Sequence, residues 1–284
     1  MKASFHTYPR GWPFRPSAWR ERLRSPYQHR FIWTKAMIKG MRRHGVRAYI
    51  GSSKRPGNAD IAVLWSWKRD AITKAFLSSG RHVLVMERGF IQPRVEWASL
   101  AVDGFNGRGR FRPAPDNGER WERLFSHHLK PWRTDPGDYA LVIGQVPGDT
   151  ALGGRDIVEW VAQTTAELAK LGHRVVYRPH PERPTPCPEG AELSTGTLEE
   201  DLRNADRVVC YNSTTAVESV LAGVPTVICD RGSVAYAMAA HEVSQPLVRP
   251  DRTQWCHDMA WRQWSLEEFE NGDAWEHVAP LLAD

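Results

Sequence analysis

Residues 206–230 read DRVVCYNSTTAVESVLAGVPTVICD, and this stretch decides the fold. An apolar run rich in β-branched residues stands at each end, and each run predicts a strand. Between them, STTAVESVLAG predicts a helix of small residues that ends at Gly223, with Pro225 just beyond. A strand, a helix and a strand joined by short connections indicate two parallel strands of one sheet.

The same alternation continues toward the N-terminus. YALVIGQVPGD at 139–149 predicts a strand, DIVEWVAQTTAELAKLGH at 156–173 predicts an amphipathic helix, and RVVYRPHP at 174–181 predicts the next strand. Residues 138–252 are therefore expected to form a parallel sheet covered by helices on both faces. We assign them to one domain.

The first part of the chain repeats this pattern. Strand-like runs occur at 46–51, 61–67 and 82–89, with a helical pattern between the second and the third. We expect an N-terminal domain at 1–112, a proline-rich linker at 113–137, and a helical tail at 253–284 that packs across the domains.

The bulk composition predicts a soluble globular protein. The 284 residues are 41% hydrophobic, which is enough for real cores. We find no apolar run of roughly 18 residues and no apolar leader at the N-terminus, so a cytoplasmic location without a membrane span is expected. The four cysteines lack metal-binding or disulfide spacing.

The charge is unevenly distributed. The formal net charge is +5, and residues 10–55 are rich in arginine and lysine with interleaved aromatic side chains. This composition has two interpretations: a solvated helix face whose aromatic rings turn into the core, or a surface that contacts nucleic acid or phosphate. Under the second interpretation, Arg20 and Arg24 are candidate acceptor-binding residues.

Ligands of parallel α/β sheets bind outside the carboxyl ends of the strands. Four predicted strands of 138–252 end in polar, glycine or proline residues, at 144–149, 178–181, 212–215 and 230–233. Thr215 and Glu218 fit a capping box, a purely structural role that leaves Ser213 and Thr214 for a ligand. The two flanking prolines would fix the direction of His180.

These motifs resemble a known family. Arg178-Pro-His-Pro181, followed by Ser213-Thr-Thr-x-x-Glu218 and AGVPTV, is similar to the nucleotide-binding half of GT-B glycosyltransferases, and more narrowly to the capsule-polysaccharide and Kdo-transferase-like group. IGQVPGD and MERGF at 86–90 also resemble that group. The resemblance covers most of 80–235. It implies an α/β protein with two Rossmann-like, doubly wound domains facing a cleft and C-terminal helices.

The resemblance also implies a donor site for a UDP- or CMP-linked sugar. His180 would contact the donor phosphate beside the charge of Arg178, and Glu218 would reach the ribose. Hydroxyl and backbone contacts, and close approach to the first strand exit, would come from Ser213, Thr214, Thr215, Gly144 and Gln145. GT-B enzymes need no metal, and no DxD motif is present; no cofactor beyond the nucleotide sugar is expected.

The catalytic base has two candidates. Where the family has an acidic residue, this chain has Arg88, which leaves Glu87 and Asp103. Asp103 lies in a glycine-rich stretch with Asn106 and Arg108, which also fits an ordinary turn. Arg88, Asn106 and Arg108 are candidate acceptor-binding residues.

The acceptor follows from a second resemblance. The ERGF and WASL-x-x-DGFNGR motifs are similar to glycosyltransferase-like proteins encoded by bacteriophages, which implies hydroxymethylpyrimidine bases in DNA as the acceptor, within the host cytoplasm. A capsule or lipopolysaccharide glycan with a CMP-Kdo-like donor is the alternative. A sugar-nucleotide epimerase or a non-catalytic nucleotide-sugar binder also remains open, as does the oligomeric state.

Overall fold

The computed structural model describes residues 1–7, 28–52, 55–68 and 70–283. These residues form two compact units. Unit 1 comprises Met1–Phe105, Gly109–Asn117 and His257–Asp284, and unit 2 comprises Asn106–Arg108 and Gly118–Cys256. Arg20 and Arg24 lie outside the described residues.

Unit 1 is built on a six-stranded sheet with the order β11-β5-β4-β3-β1-β2. The four strands from β4 to β2 are mutually parallel, whereas β5 and β11 run antiparallel to their neighbours. The strands are β1 (Lys2–Phe5), β2 (Arg47–Ile50), β3 (Ile61–Trp65), β4 (His82–Arg88), β5 (Trp97–Val102) and β11 (Gln263–Ser265). The three strands expected from the sequence are present, and β1, β5 and β11 are additional.

Helices cover both faces of this sheet. One face packs against α1 (Gln28–Arg43), α8 (Leu266–Asn271) and α9 (Asp273–Val278), with Phe5, Met37 and Phe269 fully buried between the layers. The other face packs against α2 (Asp70–Leu77) through Phe76. The tail therefore supplies a strand as well as helices to unit 1.

Unit 2 is built on an all-parallel sheet with the order β10-β9-β6-β7-β8. The strands are β6 (Tyr139–Ile143), β7 (Val175–Arg178), β8 (Glu192–Leu193), β9 (Ala205–Cys210) and β10 (Thr226–Ile228). The helices are α3 (Glu119–Leu124), α4 (Ile157–Lys170), α5 (Leu198–Asn204), α6 (Thr215–Leu221) and α7 (Thr253–Ala260), which runs on into unit 1. The parallel sheet predicted for 138–252 is confirmed.

The strand order of unit 2 fixes where a ligand can bind. The chain leaves β6 toward β7 on one side and later returns to β9 on the other side. The connections that follow β6 and β9 therefore lead to opposite sides of the sheet, which makes the carboxyl ends of these two strands the switch point of a doubly wound sheet. Right-handed crossovers place α4 on one face and both α5 and α6 on the other.

Among the described residues, no helix combines the length and the apolar character that a membrane crossing needs.

Candidate functional site

Two amide side chains meet at the switch point of unit 2. The Gln145 amide nitrogen donates to Asn212 Oδ1 at 2.9 Å, and the backbone N–H of Asn212 donates to Gln145 Oε1 at 3.0 Å. Both residues are buried. Gln145 was expected to let the nucleotide or sugar approach this strand exit closely, and that role stays a prediction. In the structure its amide holds the loop after β9 against the loop after β6.

Asn212 extends this network to the loop after β10. Its Nδ2 donates to the carbonyl oxygen of Ala151 at 2.8 Å and to Asp230 Oδ1 at 2.7 Å. Arg108 reaches the same carboxylate, with Nη2 at 2.7 and 2.8 Å from the two oxygens. The acceptor-binding candidates Asn106 and Arg108 therefore lie in unit 2, at the edge predicted for the donor.

His180 stands at the carboxyl end of β7, half-buried. Its Nδ1 accepts a hydrogen bond from the backbone N–H of Glu182 at 3.2 Å. A neutral imidazole that accepts at Nδ1 carries its proton on Nε2. The ring therefore presents an N–H donor at Nε2, as a phosphate contact requires.

Arg178 is engaged within the protein. Its Nη1 lies 2.7 Å from Asp201 Oδ2, 2.7 Å from the Gly196 carbonyl and 3.1 Å from Ser194 Oγ. Asp201 is buried and also accepts from Ser194 Oγ at 2.6 Å. This network ties the end of β7 to α5, so that the guanidinium fixes the backbone that carries His180.

The hydroxyl-rich turn before α6 differs from the sequence expectation. The capping box of Thr215 and Glu218 is wrong, because α6 begins at Thr215 and the residue before it, Thr214, is the cap. Ser213 Oγ instead accepts from the Thr215 backbone N–H at 3.2 Å, and it donates to Thr215 Oγ1 at 3.2 Å. Within the described part of the chain the Thr214 hydroxyl has no hydrogen-bond partner, so Thr214 rather than Ser213 is available to a ligand.

Glu218 lies one turn into α6 and lines a surface pocket of about 390 Å³ between α5 and α6. The pocket also involves Lys130 and Arg133, whose backbone N–H groups donate to the carbonyl oxygens of Leu221 and Gly223 at the far end of α6. None of the strand-exit residues lines it. Glu218 thus faces the pocket between α5 and α6, away from the hydrogen-bond network of Gln145 and Asn212.

Gly144 is required by packing. A Cβ at this position would lie 2.4 Å from the hydroxyl oxygen of Tyr177, so that only glycine fits beside the buried tyrosine. The expected role of Gly144 in close approach of a nucleotide stays a prediction.

Tyr211 and Arg155 join the edge without having been predicted. Tyr211 follows β9, and its ring packs edge-on against Trp160 at 5.7 Å. Burial and the charge of Asp230 raise the pKa of Tyr211, opposed by the nearby charges of Arg155 and Arg108. In the sequence, only the position of Tyr211 directly before the strand exit at 212–215 indicated a place at this edge. No sequence feature indicated Arg155.

Glu87 lies at the carboxyl end of β4 in unit 1. It is half-buried and opposite Ser99 on β5, while the neighbouring Arg88 is exposed. The turn that follows is held by Gln263 Oε1, which accepts the backbone N–H groups of Phe90 at 2.7 Å and Ile91 at 3.1 Å. Glu87 therefore occupies the edge of unit 1 where ligands of parallel sheets bind.

Asp103 lies at the opposite edge, beside the start of β4. Its carboxylate accepts from the Val83 N–H at 2.9 Å, His82 Nδ1 at 2.8 Å and Arg110 Nη2 at 2.8 Å. Burial acts to raise the pKa of Asp103, but these hydrogen bonds outweigh it and hold the pKa below its usual value. The structure does not bring Asp103 together with Glu87.

His6 is a buried edge residue that the sequence did not reveal. It follows β1, and its ring bonds Ser4 Oγ at 2.9 Å and the Ser52 carbonyl at 2.5 Å. β1 has only four residues, so no sequence pattern marked it as a strand or marked His6 as the residue after a strand.

Two Rossmann-like units define the fold class as GT-B, as the sequence resemblance predicted. A similar solved structure is the beta Kdo 2,7 transferase KpsC of Thermosulfurimonas dismutans, at 15% identity and a TM-score of 0.58 over 98% of both chains. The KpsC beta Kdo 2,4 transferase of the same organism is 14% identical, with a TM-score of 0.53 over 78% of this chain and 86% of its own. No protein-family profile and no curated protein sequence matches the chain.

Proposed function

We propose that this protein transfers a glycosyl group from a nucleotide-linked sugar to a hydroxyl acceptor. The observation that carries the proposal is the convergence of polar groups at the switch point of unit 2, where the Gln145–Asn212 pair holds the loop before Thr214. Doubly wound sheets bind nucleotides at such points. The fold shared with two Kdo transferases supports the same function.

The donor would bind at the carboxyl edge of unit 2. His180 Nε2 would donate to a phosphate oxygen, and Thr214 would add a hydroxyl contact, while Ser213 would hold the turn through Thr215. Such hydrogen bonds to an anion are stronger than neutral ones, and they would stabilise the nucleotide as it leaves. The ribose contact implied for Glu218 remains part of the proposal, and we expect transfer to proceed without a divalent metal.

Glu87 is our candidate for the base that takes the proton from the acceptor hydroxyl. A general base must reach its substrate, and Glu87 lies at the carboxyl edge of unit 1. Asp103 is held by three donors at the other edge, which favours a structural role. Arg88, exposed beside Glu87, would contact the acceptor.

For the acceptor we propose hydroxymethylated pyrimidines in DNA. The basic and aromatic composition of 10–55 supports this choice, because arginines neutralise phosphates and aromatic rings stack on displaced bases. A glycan acceptor with a CMP-Kdo-like donor is the second candidate, favoured by the fold shared with the Kdo transferases.

The test is product analysis by mass spectrometry. The protein is incubated with UDP- and CMP-sugars, including CMP-Kdo, and with hydroxymethylpyrimidine DNA or an oligosaccharide; unmodified DNA and added EDTA are the controls. We expect one acceptor to gain a glycosyl unit as nucleotide is released, with or without EDTA. Nucleotide release with no change in any acceptor would contradict transfer, and a changed sugar configuration would indicate an epimerase.

A further inference from the structure

The turn at 106–108 is fitted to the loop after β10. The Gly107 N–H donates to the Gly232 carbonyl at 2.9 Å. A Cβ at Gly107 would lie 2.4 Å from the carbonyl oxygens of both Arg231 and Ser233, a distance that no side chain can adopt. Asn106 takes a φ of 50°, in the left-handed region that asparagine tolerates. The backbone is therefore shaped to place Arg108 at this edge.

Part of the Arg108 guanidinium is used to hold it in place. Nη2 donates to both oxygens of Asp230, and Nη1 lies 3.4 Å from the Ala151 carbonyl. A guanidinium has five N–H groups. The remaining ones have no acceptor within the described residues, and the side chain is 42% exposed. Arg108 is thus anchored and still able to bind an anion.

Hydrogen-bond donors around Asp230 reduce the repulsion that its carboxylate would exert on a bound anion. Its Oδ1 also accepts from Asn212 Nδ2 at 2.7 Å and from the Gly232 N–H at 2.8 Å, so that neutral donors share its negative charge. Arg155 adds a second positive charge at this edge, in the exposed loop between β6 and α4. Arg155 Nη2 contacts Gln163 Oε1 at 2.8 Å, and among the described residues no carboxylate pairs with it.

We propose that Arg108, held by Asp230, binds the phosphate of the donor nucleotide, with Arg155 supplying a second positive charge. Guanidinium groups match phosphate oxygens in geometry and charge. The position of Arg108 fits this role, because its guanidinium lies at the switch point of unit 2. It contacts Ala151 after β6 and Asp230 after β10, and Asp230 in turn contacts Asn212 after β9. The identity of the ligand rests on the proposed function, and the inference moves Arg108 from the acceptor to the donor.

The test compares phosphorylated and unphosphorylated ligands by calorimetry. Wild type, Arg108→Gln and the matched control Arg174→Gln are titrated with CMP, UMP, cytidine, uridine and inorganic pyrophosphate. Arg174 is a suitable control because it also pairs with a carboxylate in unit 2, at 2.6 Å from Glu192, and is 52% exposed. We expect Arg108→Gln to weaken the binding of CMP, UMP and pyrophosphate by about 10- to 100-fold, while nucleoside binding and Arg174→Gln are unchanged.

Arg108→Lys keeps the positive charge and serves if Arg108→Gln does not fold. It should retain part of the phosphate preference, because ammonium binds phosphate as a point charge. The inference is overturned if a folded Arg108 variant binds CMP and pyrophosphate as wild type does, or if wild type shows no preference for phosphorylated ligands. Arg108-dependent pyrophosphate binding without turnover of any sugar nucleotide would instead sink the proposed function and leave the anion site.

Discussion

The side-chain amide of Gln145 bonds both the side-chain oxygen and the backbone N–H of Asn212, and so joins the loops at the carboxyl ends of β6 and β9. A buried amide that loses its partner costs the full desolvation of that group. The loop that carries Ser213 and Thr214 therefore depends on Asn212 for its position.

Asn212→Ala removes partners from Gln145, Ala151 and Asp230 at once. We expect the free energy of unfolding to fall by about 1–3 kcal/mol and nucleotide affinity to fall with it. Chemical denaturation measures the first effect and calorimetry the second. Asn204→Ala, an exposed asparagine at the end of α5, is the control and should change neither. A fully stable Asn212→Ala protein would refute the scaffolding role.

His180→Ala removes the proposed N–H donor to the phosphate. We expect donor affinity to fall by about 1.5–3 kcal/mol, the range of a hydrogen bond to a charged group, with the fold intact. Isothermal titration with CMP and UMP measures the change. His173→Ala is the matched control, since His173 precedes β7 at the opposite edge of unit 2. Equal affinities for His180→Ala and wild type would count against the assignment.

Glu87→Gln keeps the shape of the side chain but cannot accept a proton. General base catalysis contributes about 10²–10⁴-fold, so we expect kcat to fall by that factor while the KM for the donor stays close to wild type. Asp103→Asn, by contrast, should retain turnover. Steady-state kinetics on both variants distinguishes the two candidates. A kcat of Glu87→Gln equal to that of wild type would show that another group acts as the base.

Asp103 should make unit 1 sensitive to acid. Burial acts to raise its pKa, but the hydrogen bonds from Val83, His82 and Arg110 outweigh burial and hold the pKa in the folded protein below the usual value of an aspartic acid. A carboxyl with a lowered pKa contributes stability that is present above the unfolded pKa and is lost as the pH falls through the folded value.

The comparison is a thermal unfolding series between about pH 3 and pH 6. Wild type should lose stability over the acid part of this range, and Asp103→Asn should show a shallower dependence from a lower starting stability. Asp135→Asn, at an exposed position, should follow wild type. Parallel curves for wild type and Asp103→Asn would contradict the assigned network.

The parallel sheet of unit 2 could be predicted because its strands and helices have strong local patterns. Val208 and Val209 continue an unbroken apolar run, and α4 shows an apolar stripe that includes Ile157, Trp160 and Val161. In unit 1, β1 has four residues and β11 three, which are too short for alternation to show. Their places in the sheet depend on pairing with distant segments, which no local pattern encodes.

The sequence predicted which residues lie at the candidate site, but it did not predict which of them contact one another. Strand exits identified His180, Ser213 and Thr214 because carboxyl ends of parallel strands share one edge. The fixed partners of Gln145 and Arg178, and the insertion of Arg108 into unit 2, depend on tertiary contacts. Sequence spacing does not specify such contacts.

The most direct test of the central claim is hydrogen–deuterium exchange with and without a nucleotide, read by mass spectrometry. We predict that CMP or UMP slows exchange in the loops at 144–149, 178–182, 211–215 and 229–233, and that His180→Ala weakens this protection. Protection confined to other segments of the chain, or no protection at saturating nucleotide, would contradict a donor site at the switch point of unit 2.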